Sequence, residues 1–253
     1  MLPGELAAAF ELLTRLPVGW IGRAHANDDM ARAVWAYPIV GVAIGGLGAA
    51  GYWLSIGMGL PPPFAAICTL AITVLATGGL HEDALADMAD GFGGGRTRVR
   101  KLEIMRDSRV GSFGVLALIL STAARATAIT SIATPSKVAV ALIGAGSLGR
   151  GAMLVLLILL RPARKDGSGY GLRTAGMVRG LVGLILSTAV AFLLLPFVVA
   201  AGAALVTLLV ALCLSLLSRR QIAGYTGDVL GATEVAAECA VLGLLAAAGN
   251  IST

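Results

Sequence analysis

Long apolar runs separated by short polar clusters dominate the chain. A helix that crosses a bilayer needs about 20 predominantly apolar residues. Seven stretches approach or meet that length: 34–58, 64–80, 112–133, 138–160, 180–200, 202–217 and 235–248. They are continuously apolar, whereas the strands of a membrane barrel alternate. The pattern therefore predicts an all-α, polytopic integral membrane helix bundle, with residues 1–253 forming one domain. Residues 1–16 differ. Leu2, Leu6, Ala9, Leu12, Leu13 and Leu16 recur at helical spacing, with Glu5, Glu11 and Arg15 elsewhere. That spacing predicts an N-terminal helix lying at the membrane surface.

Composition removes the alternatives. Hydrophobic residues make up 57% of the 253 residues and charged residues 13%, with a mean hydropathy of +0.89. The charged share is about half that of an ordinary soluble domain, which excludes a water-soluble enzyme and a disordered chain. Cys68, Cys213 and Cys239 all lie in apolar runs without metal-ligand spacing, and read as small buried hydrophobes. No cleavable signal peptide is expected. Gly45, Gly46 and the glycines of 144–146 suit close helix packing.

The net charge of +5 reports topology and phosphate contacts rather than nucleic acid. Sixteen of the 19 basic residues fall into four clusters at alternate ends of the runs. These are Arg15, Arg23 and Arg32; Arg96, Arg98, Arg100, Lys101, Arg106 and Arg109; Arg161, Arg164, Lys165, Arg173 and Arg179; and Arg219 with Arg220. The intervening loops carry only Lys137. Placing the clusters in the cytoplasm gives seven spans, with the N-terminus inside and the C-terminus outside. Arg125 and Arg150 remain within apolar runs. A charge there costs about 2.5–3.5 kcal/mol on insertion scales, so each needs an acidic partner or an anionic ligand.

The most informative segment is 78–91, Gly-Gly-Leu-His-Glu-Asp-Ala-Leu-Ala-Asp-Met-Ala-Asp-Gly. At about 100° per residue, Asp83, Asp87 and Asp90 fall at about 0°, 40° and −20°, on one helix face. Like charges at that spacing repel. If the second span runs into this segment, they also lie toward a helix C-terminus, where the macrodipole disfavours them. A divalent cation offsets both effects, and an all-carboxylate set favours Mg²⁺ or Mn²⁺. A glycine-rich stretch, Arg96 and the run 103–111 follow, offering Asp107 as another carboxylate and Arg106 and Arg109 for phosphate. Further polar clusters at 161–169 and 224–238 bring Arg164 and Asp228, with Glu234 and Glu238 four residues apart. Clustered Asp and Arg at one membrane face suit phosphoryl or phosphodiester transfer. Two other readings stay open: an ion-coupled transporter, and a CDP-alcohol phosphotransferase, whose motif Asp87-x-x-Asp90-Gly91 only partly matches.

The chain also resembles the cobalamin synthase (adenosylcobinamide-GDP ribazoletransferase) family. The likeness lies in Thr14-Arg15-Leu16-Pro17-Val18, Tyr37-Pro38-Ile39-Val40-Gly41, the His–Asp pattern at 78–91 and the run 103–114. It extends to 147–150, to Ala163-Arg164 with Gly167 and Gly169, and to 224–232. The family usually has an apolar residue at position 82 and glycine at 84; here they are Glu82 and Ala84. The resemblance implies that adenosylcobinamide-GDP and α-ribazole, or its 5′-phosphate, yield adenosylcobalamin, or its 5′-phosphate, and GMP. It implies Mg²⁺ held among Asp83, Asp87, Asp90, Asp107 and Asp228, with His81 joining Asp83, Asp87 and Asp90 as catalytic candidates. Arg96, Arg106, Arg109, Arg150 and Arg164 become candidates for substrate binding. The expected setting is the inner membrane with the site facing the cytoplasm. The lipid bilayer, a second copy and other corrinoid-pathway enzymes are the candidate partners.

Overall fold

The computed structural model describes residues 2–18 and 27–251; Arg23 lies outside them. Among the described residues the chain is helical and has no strand. The helices are α1 (Leu2–Leu13), α2 (Asn27–Arg32), α3 (Tyr37–Gly57), α4 (Pro62–Thr77), α5 (Leu80–Gly94) and α6 (Arg98–Ile104). They continue with α7 (Ser112–Ile132), α8 (Pro135–Leu159), α9 (Gly167–Gly171), α10 (Met177–Leu194), α11 (Phe197–Ile222) and α12 (Gly227–Ile251).

Proline and glycine set many of the boundaries. Prolines occupy the first turns of α3, α4 and α8, where the missing N–H has no helical partner to lose. Pro196 separates α10 from α11, so the fifth and sixth runs divide there rather than at 201. Among the described residues six helices are long and apolar enough to cross a membrane, and a seventh crossing counts if α4 and α5 form one bent span. The two short final runs grow into full spans, Phe197–Ile222 and Gly227–Gly249. The latter begins early enough to place Asp228, Glu234 and Glu238 on the helix.

The largest departure from expectation is the second run. Gly78 and Gly79 both adopt left-handed backbone, with φ of 68° and 69°, which non-glycine residues rarely take. They end α4 and turn α5 by 89°. Asp83 therefore lies in the first turn of a new helix, where the macrodipole favours an anion.

Helix α8 is the central post: 78% of its span is buried, against 17% for α7. Leu120, Leu193 and Val198 point outward, as a lipid-facing surface requires. Helix α3 crosses α8 at backbone contact. A Cβ on Gly41 would meet the Gly146 carbonyl oxygen at 2.1 Å, and one on Gly45 the Leu142 oxygen at 2.4 Å. Gly46 faces open space and Gly144 nearly so, so the expected packing role holds for only some of these glycines. The N-terminal helix lays its apolar face on protein: Ala7, Ala9 and Leu13 are buried in the bundle, and Trp35 Nε1 donates to Glu5 at 2.8 Å.

Gly41→Ala should destabilise the fold by about 1–3 kcal/mol or more, the cost of overpacking, whereas Gly46→Ala should be nearly neutral. Thermal unfolding of the two variants in detergent checks this; equal melting temperatures would contradict the α3–α8 contact.

Candidate active site

Three basic segments meet at one end of the bundle. Arg98 Nη2 donates to the Ala163 carbonyl at 2.8 Å, Lys101 donates to Gln221, and Arg106 pairs with Asp166. Segments 161–163 and 224–226 join edge to edge, with Ala163 N–H donating to Tyr225 O at 2.7 Å and Tyr225 N–H to Arg161 O at 2.9 Å. Gly224 permits that approach, since a Cβ there would lie 2.3 Å from Arg161 O. The result carries Arg164 to α12, where Nη2 is 3.4 Å from Asp228 Oδ2.

The acidic stripe of α5 runs from exposed Asp83, through half-buried Asp87, to buried Asp90. Asp83, Asp90 and Asp228 all act on Asp87. Partial burial first, then these like charges, push its carboxyl up to about 7, against a smaller opposing pull from Arg164. Asp90 is engaged differently. Its oxygens accept the N–H groups of Gly111 at 2.6 Å and Gly114 at 2.9 Å. It thereby satisfies donors left open at the start of α7. A Cβ on either glycine would collide with this carboxylate, at 2.5 Å and 2.4 Å.

Among the described residues, no three His, Cys, Asp or Glu side chains converge closely enough to hold a metal ion as they stand. The donor chemistry nevertheless suits a hard divalent cation, because Asp83, Asp87 and Asp228 supply only oxygen and crowd negative charge around Asp87. Asp107 is already paired: it binds Arg109, with Nη2–Oδ2 at 2.6 Å, and that contact holds its carboxyl down at about 2. Arg96 is exposed. Arg106 and Arg109 pair with Asp166 and Asp107, leaving Arg164 as the candidate arginine directly beside the acidic face.

His81 and Arg150 lie inward, in a layer that the sequence did not reveal. Arg125 bridges Glu82 at 2.9 Å and Glu238 at 3.1 Å. Arg150 reaches Glu234 at 2.8 Å and the Gly146 carbonyl at 3.0 Å. His81 Nδ1 is 3.4 Å from the other Glu234 oxygen. Together these groups surround a cavity of about 20 Å³, room for about one water. Arg150 is thus engaged inside the protein, away from the exposed Arg96, Arg106 and Arg109. Two arginines stranded in apolar runs were the available signal. Glu234 and Glu238 stand out in the sequence as an acidic pair at the start of the last run, but spacing alone does not assign them to these arginines.

A carboxylate face with arginines at one end of an apolar helix bundle has the makings of an integral-membrane phosphotransferase. The family model described as cobalamin-5-phosphate synthase matches residues 5–246, and the chain belongs to that family. A relative from Bradyrhizobium diazoefficiens named adenosylcobinamide-GDP ribazoletransferase is 46% identical over 248 residues, covering 96% of this chain and 93% of its own length. One of the same name from Azorhizobium caulinodans is 42% identical over 250 residues, covering 94% and 93%. No solved structure matches the chain.

Two outcomes follow from the site. Arg125→Ala leaves the partly buried Glu82 and Glu238 without their shared partner and should cost about 3 kcal/mol, read by denaturant unfolding. Asp87 titrates above its unfolded value of 3.8, so between about pH 4 and 7 the folded chain holds a proton that the unfolded chain has released. In divalent-free buffer stability should fall as pH rises through that window. Asp87→Asn should flatten the slope; an unchanged melting-temperature profile would contradict the carboxylate crowding.

Proposed function

We propose that this protein joins adenosylcobinamide-GDP to α-ribazole or α-ribazole 5′-phosphate, giving adenosylcobalamin or its 5′-phosphate and GMP. Family membership over nearly the whole chain carries this reading. The carboxylates Asp83, Asp87 and Asp228 beside Arg164 supply a chemistry to match it. An acceptor ribose 3′-oxygen forms a bond to the phosphorus nearest the cobinamide. The bridging P–O bond breaks, GMP leaves with its electron pair, and the hydroxyl proton is released.

Mg²⁺, with Mn²⁺ as the alternative, would neutralise diphosphate charge when bound. Asp83, Asp87 and Asp228 are the residues we assign to hold it. Asp90 contributes mainly by fixing α5 to α7, and Asp107 by holding Arg109. Arg164 orients the diphosphate. Arg96, Arg106 and Arg109 form the outer basic rim, the latter two exchanging Asp166 and Asp107 for substrate oxygens. His81 faces the site from its inner side. The positive-inside rule supports assigning this basic end of the bundle to the cytoplasmic side, at the inner membrane.

The test uses purified protein in nanodiscs with adenosylcobinamide-GDP and α-ribazole, following GMP and corrinoid product by mass spectrometry. Product should form with Mg²⁺ and not in its absence. Asp87→Asn should reduce turnover at least about a thousandfold while the protein remains folded, because the charge that offsets the cation is gone. Full turnover in that variant would refute the metal assignment.

A further inference from the structure

The Thr14–Val18 segment has no part in the chemistry above, yet it is held in place firmly. Thr14 Oγ1 donates to Phe10 O at 2.7 Å and accepts from Leu16 N–H at 3.2 Å. Arg15 N–H donates to Ala76 O at 2.7 Å, at the end of α4. The exposed Arg15 side chain lies over Gly78, where a Cβ would meet its Nε at 2.6 Å.

Beneath it are two chambers that share Leu12, Leu80 and Asp83 as walls. The outer one, about 340 Å³, carries Arg15 and Glu11. The inner one, about 90 Å³, runs between α1, α5 and α12 to Tyr37, His81 and Asp228. Two of its lining groups, Tyr37 Oη and His81 Nε2, are buried without a hydrogen-bond partner. A buried polar atom left unsatisfied is destabilising, so a ligand that meets both is favoured.

We propose that these chambers are the acceptor subsite, with Arg15 receiving the 5′-phosphate of an aromatic ribonucleotide. This deepens the function proposed above and rests on it. Size argues first. A cavity of about 150 Å³ holds benzene, so the outer chamber fits a flat bicyclic base. The corrinoid donor is far too large for it. Charge then sets the direction. Among the described residues lining either chamber, Arg15 is the one Arg or Lys and sits in the outer chamber with Glu11 and the shared Asp83, while the inner one has Asp83 and Asp228 and no such cation. A phosphate is repelled from the inner chamber and held at the rim. Anchoring the 5′ end outward sends the remaining ribose hydroxyls inward, to Tyr37 Oη, His81 Nε2 and the carboxylate face. Arg15 is then a specificity-determining residue for the phosphorylated acceptor.

Arg15→Gln should raise the KM for α-ribazole 5′-phosphate roughly tenfold or more, the loss of one charge-assisted contact. The KM values for unphosphorylated α-ribazole and for adenosylcobinamide-GDP should stay within about twofold. Tyr37→Phe should raise the KM of both acceptors about fivefold and leave that of the donor unchanged. Calorimetric titration of α-ribazole 5′-phosphate into each protein in nanodiscs, without donor, reads the subsite apart from turnover. Binding weakened by Arg15→Gln sustains the proposal even if the wild type forms no product, an outcome that would instead overturn the transferase reading. Equal KM changes for all three substrates, or no binding to the wild type, overturn the subsite.

Discussion

Placing five charged side chains within an apolar bundle, Arg125, Arg150 and Glu234 buried and Glu82 and Glu238 partly so, is the constraint on which this structure depends. Arg125 and Arg150 face Glu82, Glu234 and Glu238, with one core cluster of hydrophobic residues on either side of the layer. Neither arginine is stable there alone, and neither are the acids. Each ion pair joins different helices: α7 to α5 and α12 through Arg125, and α8 to α12 through Arg150. The layer therefore fixes the mutual register of four helices in a way that interchangeable apolar contacts do not. Because Glu82 lies beside Asp83, it also fixes where the acidic stripe begins.

From that layer the site follows by short steps. The glycine pair at 78 and 79 turns α5 across the end of the bundle. Asp90 ties its far end to the first turn of α7. The joined segments 161–163 and 224–226 deliver Arg164 to Asp228. Like charges on α5 and α12 are thus brought together by contacts that lie outside the stripe itself. Their repulsion is stored in the folded protein, and Asp87 registers it as a carboxyl that gives up its proton reluctantly. Such a face has affinity for positive charge before any ligand arrives.

The arrangement also separates two kinds of surface. Arginines paired with acids crowd the outer rim, where a large anionic molecule can approach from water. The chambers under α1 are narrower, partly apolar and ringed by carboxylates near Asp83. Helix α1 supplies a wall of both chambers, and the proposed function, with one very large and one small substrate, calls for that asymmetry.

Much of this was legible in the chain itself. The apolar runs determined a helical membrane bundle, because unpaired backbone polar groups are too costly in lipid for other open folds. The 3–4 residue spacing of Asp83, Asp87 and Asp90 determined a shared helix face, since helical geometry is local. What the tertiary structure decided depends on residues distant in sequence. Asp90 looks equivalent to Asp83 until Gly111 and Gly114 come within reach of it. Asp107 looks like a free carboxylate until the fold pairs it with Arg109. The direction of the dipole at Asp83 reversed because two glycines broke a run that hydropathy reads as continuous. The partners of Arg125 and Arg150 were demanded by electrostatics, but only packing could choose them, because a buried charge specifies that it must be paired and not with which residue.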